Sequence, residues 1–309
     1  MSSETMAIEA SPVSQRPSVL SKVARNWSVR IGAGVLALLV AVALCAPWMG
    51  TVDPAVMDGA VMNVLPGHSG DFTLLDGRAV KHQFWMGADS FGRDIWSRVL
   101  YGTRISLIVG LFVALVSLTL GGLSGLCAGY LRWLDGILMR VMDGLMAIPG
   151  ILLAIALVSA LGASLTTVIV AIAIPEIPRV TRLVRSLVLS IREEPYVEAA
   201  VALGTPTWKI MLRHILPNAI APLIVQGTFV CASAILVESI LSFLGVGLPS
   251  EIPTWGNIMA EGRVQFNQYP HNVLYPGIFL AATVLAVNML GDGLRDTLDP
   301  KFNKRGGGK

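Results

Sequence analysis

Six apolar runs, each close to the length that crosses a bilayer, constrain this chain more than any other feature. They cover residues 29–49, 105–131, 137–161, 165–179, 219–241 and 273–290. A membrane-spanning helix needs about 20 mostly apolar residues. Of the 309 residues, 14% are charged and 54% are hydrophobic. A soluble domain carries about 25% charge, so most of this surface cannot face water. The runs are continuous. A membrane β-barrel would instead alternate over strands of about 10 residues. The expected fold is therefore all-α, a polytopic membrane protein with six transmembrane helices.

The fourth run is short and contains Pro175 and Pro178. That predicts a short or bent helix whose freed carbonyls need neighbouring partners. In the second run, Gly121, Gly122, Gly125 and Gly129 supply small faces where helices can approach closely. The chain divides into a polar tail (1–28), a membrane domain (29–294) and a short polar tail (295–309). Inside the domain lie a long polar segment (50–102) and a charged loop (180–217). A cleaved signal peptide is not expected, because further spans follow the first. Cys45, Cys127 and Cys231 all fall in apolar runs, so buried inert thiols are expected, with no disulfide framework and no metal site. A net charge of +3 is too small to argue for nucleic acid.

Charge orients the spans. With both termini in the cytoplasm, Arg78, Lys81, Arg93, Arg98, Arg104 and Arg263 fall outside, and the majority of the 23 Lys and Arg fall inside. This arrangement obeys the positive-inside preference, and the reverse would violate it. The long polar segment then faces outward and the charged loop inward.

The inward loop reads as short helices with sharp corners. Leu183, Val184, Leu187, Val188 and Ile191 recur at helical spacing, which continues the fourth span as an amphipathic helix. Pro195 suits the first turn of a second helix, and Glu198 then lies near its positive end. Gly204 can close that helix in the left-handed region. Thr205 can cap a third helix that begins at Pro206, and Pro217 can end it. Small Ala199 and Ala200 would let such a helix enter a partner's cleft. An ordinary surface loop is the plain alternative.

Glu198, Ala199, Ala200 and Gly204, followed by Leu216 and Pro217, resemble the EAA signature of bacterial ABC importer permeases. His214 stands where isoleucine is common, which resembles the dipeptide/oligopeptide branch. Four more stretches resemble that branch: 87–107 (GADSFGRDIWSRVLYGTRISL), 242–247 (SFLGVG), 253–259 (PTWGNIM) and 288–300 (NMLGDGLRDTLDP). Arg140, Asp143, Pro149 and Gly150 fit its third-span pattern. The resemblance covers about 85–301. It does not explain the N-terminal tail or residues 51–84, and it departs at Glu176, between two prolines, where an uncharged residue is usual.

The resemblance implies a type I ABC importer permease fold in the bacterial cytoplasmic (inner) membrane. It implies a second homologous permease, two ATPase subunits that bind ATP and Mg, an outer solute-binding protein, and a peptide substrate amid membrane lipid. Residues 198–204 become the segment that couples to the ATPase, with Thr205, His214 and Pro217 beside it. Similar permeases carry glutathione, nickel chelates or opines, and these stand as alternative substrates. No cofactor is expected in this chain, which lacks a phosphate-binding Gly-rich loop with Lys and Ser/Thr, so it is expected to be a non-catalytic subunit. A partner-independent channel or secondary transporter is a rival reading of another class. An intramembrane protease is another, disfavoured because Ser233, Ser239 and Ser242 have no transmembrane histidine to serve as base.

Several polar residues lie in or against the spans. Glu238 allows two readings, a wall of the substrate path or a helix–helix hydrogen bond. Gln226 and Asn288 are candidates for a wet lumen. Asp143 can pair with Arg140, and Asp292 with Arg295, at a spacing of three residues. Residues 89–104 read as an interfacial helix with Phe91, Ile95, Trp96, Val99 and Leu100 on one side and Arg93, Asp94 and Arg98 on the rest. That helix would anchor the chain or gate the pore.

Overall fold

The computed structural model describes residues 23–298. Most of the N-terminal tail and residues 299–309, including the end of the 288–300 stretch, lie outside the described residues. Ten helices and one hairpin position the functional regions. They are α1 (Trp27–Cys45), β1 (His68–Thr73), β2 (Ala79–Phe84), α2 (Ile95–Tyr130), α3 (Arg132–Met146), α4 (Gly150–Leu161), α5 (Leu165–Ile191), α6 (Pro195–Ala202), α7 (Thr207–Ile210), α8 (Leu216–Phe243), α9 (Trp255–Gly262) and α10 (His271–Leu298).

Four helical stretches are long and apolar enough to cross a membrane: Trp27–Trp48, Ile95–Tyr130, Thr207–Phe243 and His271–Leu298. The expected third span is not one straight helix. α3 and α4 meet at 84°, at a break that contains Pro149. Proline removes a backbone donor and disfavours helix in the residue before it. α3 is amphipathic, with Trp133, Ile137 and Val141 exposed on one side. The fourth run and its predicted amphipathic extension form one helix. α5 passes through Pro175 and Pro178 for 27 residues, and its charged half (Glu176, Arg179, Arg182, Arg185) keeps it below the apolarity of the other spans. Among the described residues four helices qualify, or five with the bent pair as one span, so the expected count of six is not reached by length and apolarity.

The core is built on α2 against α5, which run in the same direction. A Cβ on Gly121 would lie 2.6 Å from Val180 Cβ, on Gly125 2.7 Å from Val184 Cβ, and on Gly129 2.6 Å from Val188 Cβ. Glycine every fourth residue thus receives valine every fourth residue, a ridge entering a groove. Ser124 and Thr181 share a 2.7 Å hydroxyl hydrogen bond along the same seam. Gly122 has open space where a Cβ would lie. α1 closes on α10 in a similar way, since a Cβ on Gly32 would lie 2.6 Å from Ala286 O.

The polar segment 50–102 holds a strand pair that its sequence does not announce. β1 and β2 pair antiparallel from His68↔Phe84 to Thr73↔Ala79. Val56, Val61, Phe72, Phe84 and Ala88 form a small separate core beneath them. Asp58 fastens the unit: its carboxylate accepts from Ala60 N at 2.9 Å and Thr73 N at 2.7 Å. These two backbone donors hold its pKa below the usual carboxylate value.

Cys45 is exposed, contrary to the expectation of three buried thiols, whereas Cys127 and Cys231 are half-buried. It lies off the face of α1 that buries Val29, Gly32, Leu39 and Ala43.

Two outcomes test this description. Gly125→Leu should lower the stability of the detergent-solubilised protein by about 1–3 kcal/mol, the usual cost of overpacking, whereas Gly122→Ala should leave the unfolding midpoint unchanged. Because the folded pKa of Asp58 is depressed, its stabilisation is complete above the unfolded value of about 3.9 and fades as pH falls through the lower folded value. Amide protection factors in the hairpin, taken against the intrinsic exchange rate at each pH, should therefore fall at acid pH in the parent chain and be already lower, and flatter with pH, in Asp58→Asn.

Candidate functional site

The loop expected at 180–217 is rigid in the structure. α5 continues to Ile191 as predicted, with Val184 and Val188 buried. Pro195 opens α6 and Glu198 sits in its first turn. Gly204 ends it at φ +75°. Thr205 N reaches back to Ala200 O at 3.1 Å, and Gly204 N to Val201 O at 2.9 Å. These are the bonds of a left-handed helix stop.

The third helix differs from expectation. Pro206 is the residue before it, and no side chain caps it, so Thr205 has no capping role. Pro217 does not end it either. α7 passes through a π-helical stretch, Met211–Ile215, straight into α8. Pro217 has no N–H to return to the preceding turn, and a wider turn absorbs that gap. Asn218 repairs it in part, donating to His214 O at 2.7 Å and to the Tyr196 hydroxyl at 3.1 Å. The Tyr196 and His214 rings lie 6.3 Å apart. The loop is thereby tied to the first turn of α8.

Glu198, Ala199, Gly204 and Pro217 are exposed, Thr205 and His214 are half-buried, and Ala200 is buried. Ala199 alone of the two alanines is presented. Beside it the loop exposes Val201, Leu203 (85%), Trp208 and Leu212. A sizeable apolar patch on a charged loop marks a surface for a partner. The patch was not legible as such, because its members come from two helices that the Gly204 corner brings together.

At the other end of α2 lies a second constellation. The helix is 36 residues long, about 54 Å at 1.5 Å per residue, so its first turns extend well past a bilayer core of about 30 Å. Asp94 caps it, accepting from Ser97 N at 2.9 Å and from the Ser97 hydroxyl at 2.5 Å. The expected interfacial helix over 89–104 begins only at Ile95, and Arg93 and Arg98 are buried, not surface decoration. Arg93 Nε donates to Asp89 at 2.7 Å, and Arg93 also binds Glu261 of α9. Arg98 donates to Glu261 at 3.2 Å and to Ser250 O at 3.4 Å. Two guanidiniums therefore face two carboxylates, one of which Glu261 brings from α9, distant in sequence. A PTWGNIM stretch that looked merely family-like proves to carry the helix that holds the partner acid.

The remaining polar residues are placed as follows. Asp143 bonds Arg182 of α5 at 2.6 Å, not Arg140, which is exposed. No ion pair joins Asp292 to Arg295. The helical spacing permitted both pairs, but a closer arginine captures Asp143, and Asp292 and Arg295 are exposed without an ion pair between them. Arg295 and Gln226 line a cavity of about 460 Å³ with Leu183, Pro222, Phe229 and Leu298. Asn288 is half-buried and not among its lining residues. Glu238 is fully buried and accepts from the Ser242 hydroxyl at 2.8 Å, one turn along its own helix. Glu176 takes two 3.0 Å bonds from Arg179 and lies 3.5 Å from the Ser233 hydroxyl of α8.

A bundle of apolar helices with a stiff apolar-faced loop at one end defines a membrane subunit built to engage a separate partner. Residues 117–304 match the family described as binding-protein-dependent transport system inner membrane component, and the chain belongs to that family. It is 49% identical over 99% of its length, and 100% of the relative's, to a probable peptide ABC transporter permease protein of Sinorhizobium fredii. It is 47% identical to a dipeptide transport system permease protein of Alkalihalophilus pseudofirmus, covering 74% of this chain and 75% of that one. It is 46% identical to a glutathione transport system permease protein of Pectobacterium atrosepticum, over 71% and 73%. Among solved structures it is similar to a chain of the inward-facing MetNI methionine ABC transporter, at 19% identity and a TM-score of 0.49, over 66% of this chain and 94% of that chain.

Removing Glu261 would leave both buried arginines with a single carboxylate. Glu261→Ala should cost about 3–5 kcal/mol, as breaking a buried ion pair does, seen as a fall in the unfolding midpoint, while Arg140→Ala should leave it in place.

Proposed function

We propose that this chain is one of two permease subunits of an ATP-driven importer that carries di- or oligopeptides inward across the cytoplasmic membrane. The observation that carries the substrate class is the 49% identity, over essentially the whole of both chains, to a relative named as a peptide permease. Glutathione, itself a short peptide, is the second reading, favoured by the 46% identical glutathione permease.

In this reading both termini and the α6 loop are cytoplasmic, and the hairpin unit faces out toward a solute-binding protein. α6 enters a cleft of an ATPase subunit, with Glu198, Ala199 and Gly204 at the contact and Val201, Leu203 and Trp208 as apolar anchors. ATP and Mg belong to the two ATPase subunits, and the chemistry of hydrolysis is theirs. This chain contributes alternating access. ATP-driven closure of the ATPases moves the two docking helices together and opens the pore outward, and hydrolysis and release restore the inward state. Gln226, Arg295 and Asn288 are proposed to face the path inside, while Arg93, Asp94, Arg98 and Glu261 hold the outer end together.

Gly204 gives the sharpest test. Its φ of +75° strains any branched side chain, although space is open around it. Gly204→Val should insert and assemble but lose coupled peptide uptake in reconstituted vesicles, whereas Gly204→Asn, which tolerates the left-handed region, should retain most of it. Wild-type uptake and ATPase stimulation in Gly204→Val would remove the docking assignment.

A further inference from the structure

The stem of the docking loop is clamped to α3 by a pair of ions that no reading of the loop itself requires. Arg185 lies on α5, two turns before the helix ends. Its Nε and Nη2 donate to the two carboxylate oxygens of Asp135, on the first turn of α3, at 2.5 and 2.6 Å. Such a two-pronged bond fixes orientation as well as distance. Both side chains are about 30% exposed, Arg185 at 31% and Asp135 at 27%, so solvent screens the pair only in part. Arg182, one turn earlier, holds Asp143, also on α3, at 2.6 Å, but those side chains are 45% and 58% exposed, so solvent screens that pair and it adds little to the tie. Arg192 adds a bond to Gly129 O at 3.3 Å at the end of α2.

The mechanical layout follows from these contacts. α2 and α5 are locked by the glycine–valine seam and move as one body. α3 has no such seam. Its far side carries exposed Trp133, Ile137 and Val141, and its own continuation, α4, departs at 84°. The fork-shaped Asp135–Arg185 bond is the strongest polar tie between α5 and α3. Displacement of α6 can therefore reach the α3–α4 elbow through α5 and this pair.

We propose that Asp135 and Arg185 are positioning residues for transport, a clamp that carries movement of the docking helix to α3 and so to the elbow at Pro149. The proposal rests on the reading of α6 as the ATPase-docking helix. Without the clamp, the docking helix still engages its partner and α5 still moves, but α3 no longer follows.

The test uses the assembled transporter, with its ATPases and second permease, in lipid nanodiscs. Spin labels are placed at Ile137 on α3 and Leu44 on α1, both exposed, after replacement of the native cysteines. The distance between them is measured with and without a non-hydrolysable ATP analogue, in parallel with peptide uptake and ATPase rate in vesicles. In the otherwise wild-type complex the analogue should shift the α3 distance. Asp135→Asn and Arg185→Gln should abolish the shift and lower peptide taken up per ATP hydrolysed by about tenfold, with assembly and ATPase rate kept. The exchanged pair Asp135→Arg with Arg185→Asp should restore both.

A wild-type complex in which α3 does not respond to the analogue would overturn the proposal. So would single variants that retain the shift, or that lose assembly without rescue by the exchange, which is the mark of a purely structural bond. Failure of the docking reading looks different: no ATPase would copurify with the wild-type chain. Failure of the peptide assignment would leave the spin-label response in place and only the uptake assay silent.

Discussion

The close approach of α2 and α5 is the constraint on which the rest of the molecule depends. Inside a bilayer, lipid tails are as apolar as leucine, so burial from water does not drive helices together, and packing must do so. Three glycines at fourth-residue spacing let Val180, Val184 and Val188 sit against the α2 backbone. One body results. Its two ends carry different features: the charge cluster at the start of α2 and the stiff exposed loop at the end of α5.

The two ends solve opposite problems. At the start of α2, Arg93 and Arg98 are buried, and the structure must supply acids; it does so with Asp89 nearby and Glu261 from α9. The cluster ties the hairpin unit, α2 and α9 into one piece. After α5 the loop stays exposed, and its shape is set by backbone geometry instead: a left-handed glycine at 204, a π-helical turn before Pro217, and Asn218 holding Tyr196. A stiff knob with an apolar surface is what a soluble motor domain can grip, and membership of a binding-protein-dependent transport family gives that shape its context.

Much of this was legible. The apolar runs predicted the spanning helices, and the Pro195, Glu198 and Gly204 pattern predicted α6 and its stop, because caps and stops are local and act within one turn. The hairpin was missed because its residues are polar, glycine-rich and short, and their pairing is not local. The straight third span, the Thr205 cap and a helix end at Pro217 were expected and are absent. In each case a local rule allowed two outcomes and a neighbouring helix chose. Asp143 shows the same thing at the scale of one side chain: Arg140 is close in sequence, but Arg182 is closer in space.

The amino-acid order alone determined that this chain lies in a membrane as helices, where its polar loops fall and which loop carries the EAA-like pattern. Those properties follow from the energetics of burying backbone and charge in lipid, which depend on composition along the chain. Only the tertiary structure decided which acids meet which arginines, that Glu238 is enclosed, that Val201, Leu203 and Trp208 are exposed, and that Asp135 forks onto Arg185 between α3 and α5. Those are contacts between segments distant in the chain. They depend on crossing angles and on distances of a few ångströms, which no run of residues encodes by itself.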